Sequence, residues 1–288
     1  MQGTEAPVLL QALALPASAQ VGQRIAKKLL SEQIAALKAS TAADKRLGTD
    51  LLEDLHWLAA LKPSTVGLAA WQTDTHDYLE VAVLHAQLRP TATQPSATST
   101  AQLSRLVQLI HRVIPYPVLL ITTQATPSGV QEQLSLAHKR RTLSSGSAMV
   151  LEQLVSTPWL AQSELQDAIN KIAAPAIIHW PTALFLINLA LASPQSTTQR
   201  HLQARYDGWL QSIEALAAAG RTGRFALCPT PAQAASRRSA LQHCAQLDAQ
   251  LASLRAQASK ASQLAQRAAY NLKIATLMAQ RQAIESGL

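Results

Sequence analysis

Cysteine is nearly missing from this 288-residue chain. Cys228 and Cys244 are its only two, sixteen apart. That excludes a disulfide scaffold and a four-cysteine zinc site, and both read as small apolar residues. Aromatics are scarce at 4%, so the core must be built from Leu, Ala, Val and Ile. The ten glycines contain no G-x-G and no G-K-[ST], so no phosphate-cradling loop is encoded. Gly146-Ser147 lacks the G-x-S-x-G frame of a nucleophile elbow. The eight histidines form no H-x-x-x-H pair. None of the nine Glu and eight Asp is followed two residues later by Lys. That argues against the nuclease class that sets a carboxylate and a lysine on one strand face around a metal.

Long apolar runs are equally few. Residues 172–199 carry no charge, which is long enough to span a bilayer. The stretch is broken by Pro175, Pro181 and Pro194 and holds His179 and Asn188. It reads as a buried core helix, so no membrane is expected. The N-terminus lacks the basic start of a signal peptide. Together with reduced thiols this gives a cytoplasmic expectation.

What is present is charge asymmetry. The formal net charge is +8. Residues 1–100 hold eight basic and nine acidic side chains, 101–200 hold seven and four, and 201–288 hold ten and four. The C-terminal third is therefore the part expected to meet nucleic acid or an acidic protein.

Periodicity divides the chain. Helices are expected over Val21–Lys38 and Asp44–Leu61, the second stopped by Pro63 and with Trp57 in its apolar region. Strands follow over Val66–Trp71, Tyr78–Arg89, Val118–Thr123, Val130–His138 and Met149–Val155. A helix at Ala101–Ile114 interrupts them, with Arg105 and Arg112 on its outer face. A charge-free loop is expected at 90–100, a turn at 144–147 and a linker at 193–198. Helices follow at 163–173, 182–192 and 200–219, the last ended at Gly220. From Ala235 to Ser286, Leu247, Leu251, Leu254, Ala258, Ala261, Ala265, Ala268, Leu272, Ala275 and Ala279 step by fours and threes, a heptad seam. The expected fold is α+β: a small, largely antiparallel sheet flanked by helices, then a helical region ending in a long coiled-coil-like helix. The boundaries are residues 1–160, 161–230 and 235–286.

The candidate site residues are cations. Lys139, Arg140 and Arg141 end a strand and are expected to form a rim. Arg221, Arg224, Arg237 and Arg238 bracket the start of the last helix. Arg255, Lys260, Arg267, Lys273 and Arg281 decorate it, opposed only by Asp248 and Glu285. With Arg105 and Arg112, such groups would give sequence-independent, salt-sensitive phosphate contacts. Leu247, Leu251, Leu254 and Leu272 are the candidate partner-binding residues of this segment, which is expected to pack on its own domain, a second copy or another subunit, as a coiled coil or a long antiparallel hairpin. Asp74, His76 and Asp77 crowd one turn but read as a solvated tip, so no metal, cofactor or catalytic residue is assigned.

Several blocks together resemble a known family. They are Leu15-Pro16 with Arg24, Ile25 and Lys27; LEDLHWLAALKPSTV at 52–66; IPYPVLLI at 114–121; His138-Lys139-Arg140; and Ala269-Tyr270-Asn271-Leu272-Lys273. In this order the chain resembles the bacterial domain-of-unknown-function family numbered 4391. The resemblance brings no enzymatic activity. It implies an accessory protein of restriction-like, anti-phage loci, acting beside a helicase or DNA methyltransferase. Against the family pattern this chain is rich in Ala and Gln, and its 90–100 loop reads as inserted. A non-catalytic accessory subunit that docks such a partner and contacts DNA is the first expectation. A metal-dependent nuclease or other hydrolase with an unrecognised site, and an interaction scaffold without DNA contact, are the alternatives.

Overall fold

A computed structural model of the chain describes residues 6–37, 40–90, 100–142, 149–172, 181–191 and 200–288. The expected loop (residues 91–99), the turn at 144–147, the linker at 193–198 and most of the uncharged stretch before Pro181 lie outside these residues. The chain divides into two compact units, residues 1–213 and 214–288.

The first unit runs α1 (Val8–Ala12), β1 (Gln20–Arg24), α2 (Lys27–Ala36), α3 (Ala42–Leu51), β2 (Leu52–Leu61), α4 (Pro63–Val66), β3 (Trp71–Gln72), β4 (Asp77–Tyr78) and β5 (Val81–Leu88). It continues with α5 (Thr100–Val113), β6 (Val118–Thr126), β7 (Gly129–Arg141), β8 (Met149–Ser156), β9 (Leu160–Ala161), α6 (Gln162–Ile172), α7 (Pro181–Leu191) and the first part of α8 (Leu202–Thr222). Seven strands form one sheet in the order β1-β2-β5-β6-β7-β8, with β9 on β7, while β3 and β4 form a separate ribbon. Among the described strands of this sheet β5 and β6 pair in parallel, through the crossover helix α5, and the other pairings are antiparallel. The α+β class and the largely antiparallel sheet are as expected.

Strand alternation builds the core. Ala82, Leu84, Ala86 and Leu88 of β5 and Val118 and Leu120 of β6 face Leu30 and Ile34 of α2 and Leu106, Leu109 and Ile110 of α5, all buried. The opposite face carries Val83, Leu119 and Ile121, also fully buried. There the Tyr206 hydroxyl of α8 accepts from the Ala137 amide and reaches the Val118 carbonyl, both at 2.8 Å. It bridges β6 and β7 one step past the Leu119–Leu136 pair.

Several expected elements change type. The helix from Asp44 ends at Leu51, and Leu52–Leu61 is strand β2 between β1 and β5. Trp57 lies on that strand, packed against the core, its indole N–H donating to the Ala59 carbonyl at 2.9 Å. The helix expected from Val21 begins only at Lys27, because Gln20–Arg24 is an edge strand on β2. Val66–Trp71 joins no long strand: α4 ends there, and Gly67 takes the left-handed conformation (φ 68°) that closes it. Gly220 does not stop α8. The helix runs to Thr222 and stops at Gly223 (φ 74°).

The second unit holds the end of α8, then α9 (Pro231–Lys260) and α10 (Leu264–Glu285). Thr230 caps α9 by accepting from the Gln233 amide at 3.3 Å, with Pro231 in the first turn. Of the coiled coil and the antiparallel hairpin expected here, the structure has the hairpin: the seam is carried by two helices, because Ala261 leaves helical geometry at ψ 123°. They return antiparallel: Arg281 meets Asp248, and Arg255 meets Met278.

Candidate interaction surface

The expected basic rim is divided by the strand itself. Successive side chains of β7 point to opposite faces. Lys139 is 2% exposed, and its ammonium donates to the Ile114 carbonyl at 2.7 Å and to the Tyr116 carbonyl. Burial pulls its pKa down to about 7. Lys139 is therefore a lock on the C-terminal end of α5, not a phosphate contact. Arg140 lies on the other face within 3.2 Å of Glu152, and Arg141 is salt-bridged to Asp77.

Arg105 also turns inward. Its guanidinium makes two bonds to the buried Asp44 carboxylate, at 2.7 and 2.8 Å. The side-chain bond from Arg105 and the Thr41 amide hold that carboxyl well below the usual range. Arg112, seven residues on, is half-buried. Asp74, His76 and Asp77 do not converge as a ligand set. The His76 ring reaches Glu152 at 2.9 Å and Thr75 at 2.8 Å, while Asp77 accepts from Gln72 at 2.7 Å. Among the described residues no group of three or more His, Cys, Asp or Glu is placed to hold a metal ion.

A polar cluster that the sequence did not announce lies beside this ribbon. The Tyr78 hydroxyl bonds His138 Nδ1, and His138 Nε2 lies 3.3 Å from Asp207. Trp71 stacks on His201 with centroids 6.1 Å apart. Tyr78 is 1% exposed, and burial pushes its hydroxyl pKa up. With both ring nitrogens of His138 engaged and the phenol buried, the cluster ties β4, β7 and α8 together. A pairing of Tyr78 with His138 and Asp207 could not be read from the sequence, because the three lie 60 or more residues apart.

In the second unit the arginines sort themselves. Arg221 bonds Asp248 and Glu285, each at 2.7 Å, and Arg281 bonds Asp248 at 2.9 Å. This network clasps the C-terminal ends of α8 and α10 to the middle of α9. Against the cost of desolvation, Arg221 and Arg281 hold the Asp248 carboxyl below its ordinary pKa. Arg238 pairs with buried Glu214 at 2.7 Å, and Arg237 donates to the Ala226 carbonyl at 2.5 Å. Arg224 is exposed. Every acid of this unit (Glu214, Asp248 and Glu285) is thereby held by arginine. Residues 249–284 contain no Asp or Glu and carry Arg255, Lys260, Arg267 and Lys273 beyond the network.

The expected leucine seam divides as well. Leu247 and Leu251 are buried within the unit and Leu254 is half-buried, so they build the hairpin. Leu272 is 72% exposed and Leu264 81%. Ala265, Ala268, Ala275 and Ala279 are exposed with them, whereas Tyr270, Ile274, Leu277, Arg281 and Ile284 are half-buried. The helical turn sets these two groups on opposite faces of α10.

A family model for a domain of unknown function, DUF4391, matches residues 13–280. The chain belongs to the DUF4391 family. The match takes in the sheet of the first unit and most of the α9–α10 hairpin, so the DUF4391 match covers most of both units. Searches of curated proteins and of solved structures return no match. No helix among the described residues is long and apolar enough to cross a membrane.

Proposed function

We propose that this DUF4391 protein is a non-catalytic accessory subunit whose C-terminal hairpin docks a larger protein. The observation that carries the reading is the outer face of α10, where Leu264 and Leu272 stand 81% and 72% exposed on an otherwise Ala-lined stripe. A soluble helix ordinarily turns such a stripe into a core, and a contiguous apolar face left in water marks an interaction site. The family resemblance supplies the setting: a restriction-like, anti-phage assembly in the bacterial cytoplasm, with a helicase or DNA methyltransferase as partner. Co-expression of the tagged chain with the helicase or methyltransferase of its own locus tests this. A complex that stays together in size-exclusion chromatography is the expected result. Separate elution at micromolar concentration refutes it.

Direct DNA contact is a second reading, favoured by the acid-free segment 249–284 with its four remaining cations. Phosphate contact would make duplex affinity fall linearly with salt on a log–log plot. A variant with Arg255, Lys260, Arg267 and Lys273 changed to Glu would lower that slope. Absence of duplex binding at about 50 mM salt removes this reading. The candidate cations of the first unit contribute less, because Lys139 is buried and Arg105, Arg140 and Arg141 are paired with carboxylates.

A further inference from the structure

We infer that the outer face of α10 receives a single amphipathic helix of another protein, apolar along its seam and acidic along both flanks. The inference rests on the accessory reading above and names the chemistry of the occupant.

Leu264, Ala268, Leu272, Ala275 and Ala279 recur at steps of four and three, so they form one line along the helix. From Leu264 to Ala283 that line is about 30 Å long at 1.5 Å per residue. Small side chains at such spacing let a second helix axis approach closely, and the two leucines mark where the stripe is deepest in apolar surface. α10 packs on α9, and its reverse face carries the half-buried Tyr270, Ile274, Leu277 and Ile284.

Charge decides between occupants. At 100° per residue, Arg267 and Lys273 fall on opposite flanks of the seam. No Asp or Glu lies between residues 249 and 284 to oppose them. A second copy seated on the same face would bring Arg267 and Lys273 against like charges on both edges, and pairs across a helix seam follow the sign of their flanking residues. A helix with Glu or Asp at those edges meets cations on both sides. Duplex DNA satisfies the cations but leaves the leucines in water.

The test uses the full chain and three fluorescent synthetic helices of about 24 residues: Leu seam with Glu flanks, Leu seam with Lys flanks, and a scramble of the first. The Glu-flanked helix should bind, at least tenfold tighter than either control, with affinity falling as salt rises. The variant L272E should lose at least tenfold while keeping the circular dichroism and melting midpoint of the parent, since Leu272 is 72% exposed. No binding of the Glu-flanked helix, or equal binding of all three, overturns the inference. So does a dimer in sedimentation velocity that L272E dissociates. If the locus partner still co-purifies with L272E, the accessory reading stands and this surface assignment falls. If the Glu-flanked helix binds but no locus partner does, the accessory reading falls and the surface assignment stands.

Discussion

His85 should make the sheet of the first unit acid-sensitive well above the carboxylate range. Its ring lies on β5 at the centre of the sheet, 4% exposed, with Nε2 2.9 Å from the Thr123 hydroxyl. Burial, aided by the charge of His56, lowers its pKa from 6.5 to about 4. Between those values the unfolded chain binds a proton that the folded chain refuses. Stability is therefore intact above pH 6.5 and is lost as pH falls toward 4. In full this corresponds to about 3 kcal/mol, of which about 2 kcal/mol is gone by pH 5. His111 adds to the same slope. It is fully buried on α5, with Nε2 3.0 Å from the Ser135 hydroxyl and, among the described residues, no partner for Nδ1, and burial holds it well below 6.5. All five tryptophans lie between residues 57 and 209, so their fluorescence follows the first unit alone. The assay is urea unfolding by tryptophan fluorescence from pH 8 to pH 4.5, for the parent and for H85Q. Gln retains a hydrogen bond to Thr123 but does not titrate. H85Q should lose less stability than the parent on going from pH 7 to pH 5, by about 2 kcal/mol. Parallel pH profiles for the two proteins would refute the reasoning.

Three further outcomes follow from buried polar groups in the same unit. Lys139 has its pKa pulled by burial from 10.5 to about 7, so the unfolded chain binds the extra proton between those values and stability rises with pH across that range. K139M should abolish that rise and, near pH 7, strand the Ile114 and Tyr116 carbonyls at a cost of about 1–3 kcal/mol, read by the same urea titration. Glu132 is fully buried and accepts the amides of Val8 and Leu9 at 2.8 and 2.9 Å. E132A should release α1, lowering stability by about 1–3 kcal/mol, with faster amide exchange at Val8 and Leu9 as the local readout. A double-mutant cycle on Asp44 and Arg105 should give a coupling of about 1 kcal/mol, since Arg105 is partly solvated. A coupling near zero would mean that the pair contributes no cooperativity between α3 and α5.

The fold class was legible because β6 carries a continuous apolar run, β5 is largely apolar, β7 alternates, and α5 carries a clean helical stripe. The failures have physical causes. Leu47, Leu51, Leu55 and Leu58 are spaced for a helix, yet Leu52–Leu61 lies between β1 and β5, and the sheet overrides the local pattern. β1 was invisible because all five of its residues are exposed, so no apolar alternation marks it. The interior of the predicted basic rim could have been anticipated. Once Val130–His138 is read as a strand that continues into Lys139-Arg140-Arg141, period two sends Lys139 and Arg140 to opposite faces.

The C-terminal seam shows how one pattern can place its residues in two different surroundings. Its fours and threes are real, and both halves are helical. Breaking the helix at Ala261 separates the two halves of that line. Leu247 and Leu251 then close the hairpin, while Leu272 is turned to water. The break has no Gly or Pro to announce it, and only contact between distant turns, such as Arg281 with Asp248, fixes it. The same contact consumes Asp248 among the acids of the unit. What is left beyond it is a helix face with apolar side chains in line, cations at its edges and no carboxylate of its own. That combination is poorly suited to self-pairing and well suited to an acidic helix. It separates the partner-binding role proposed for Leu272 from the core role of Leu247 and Leu251, which the linear sequence had joined.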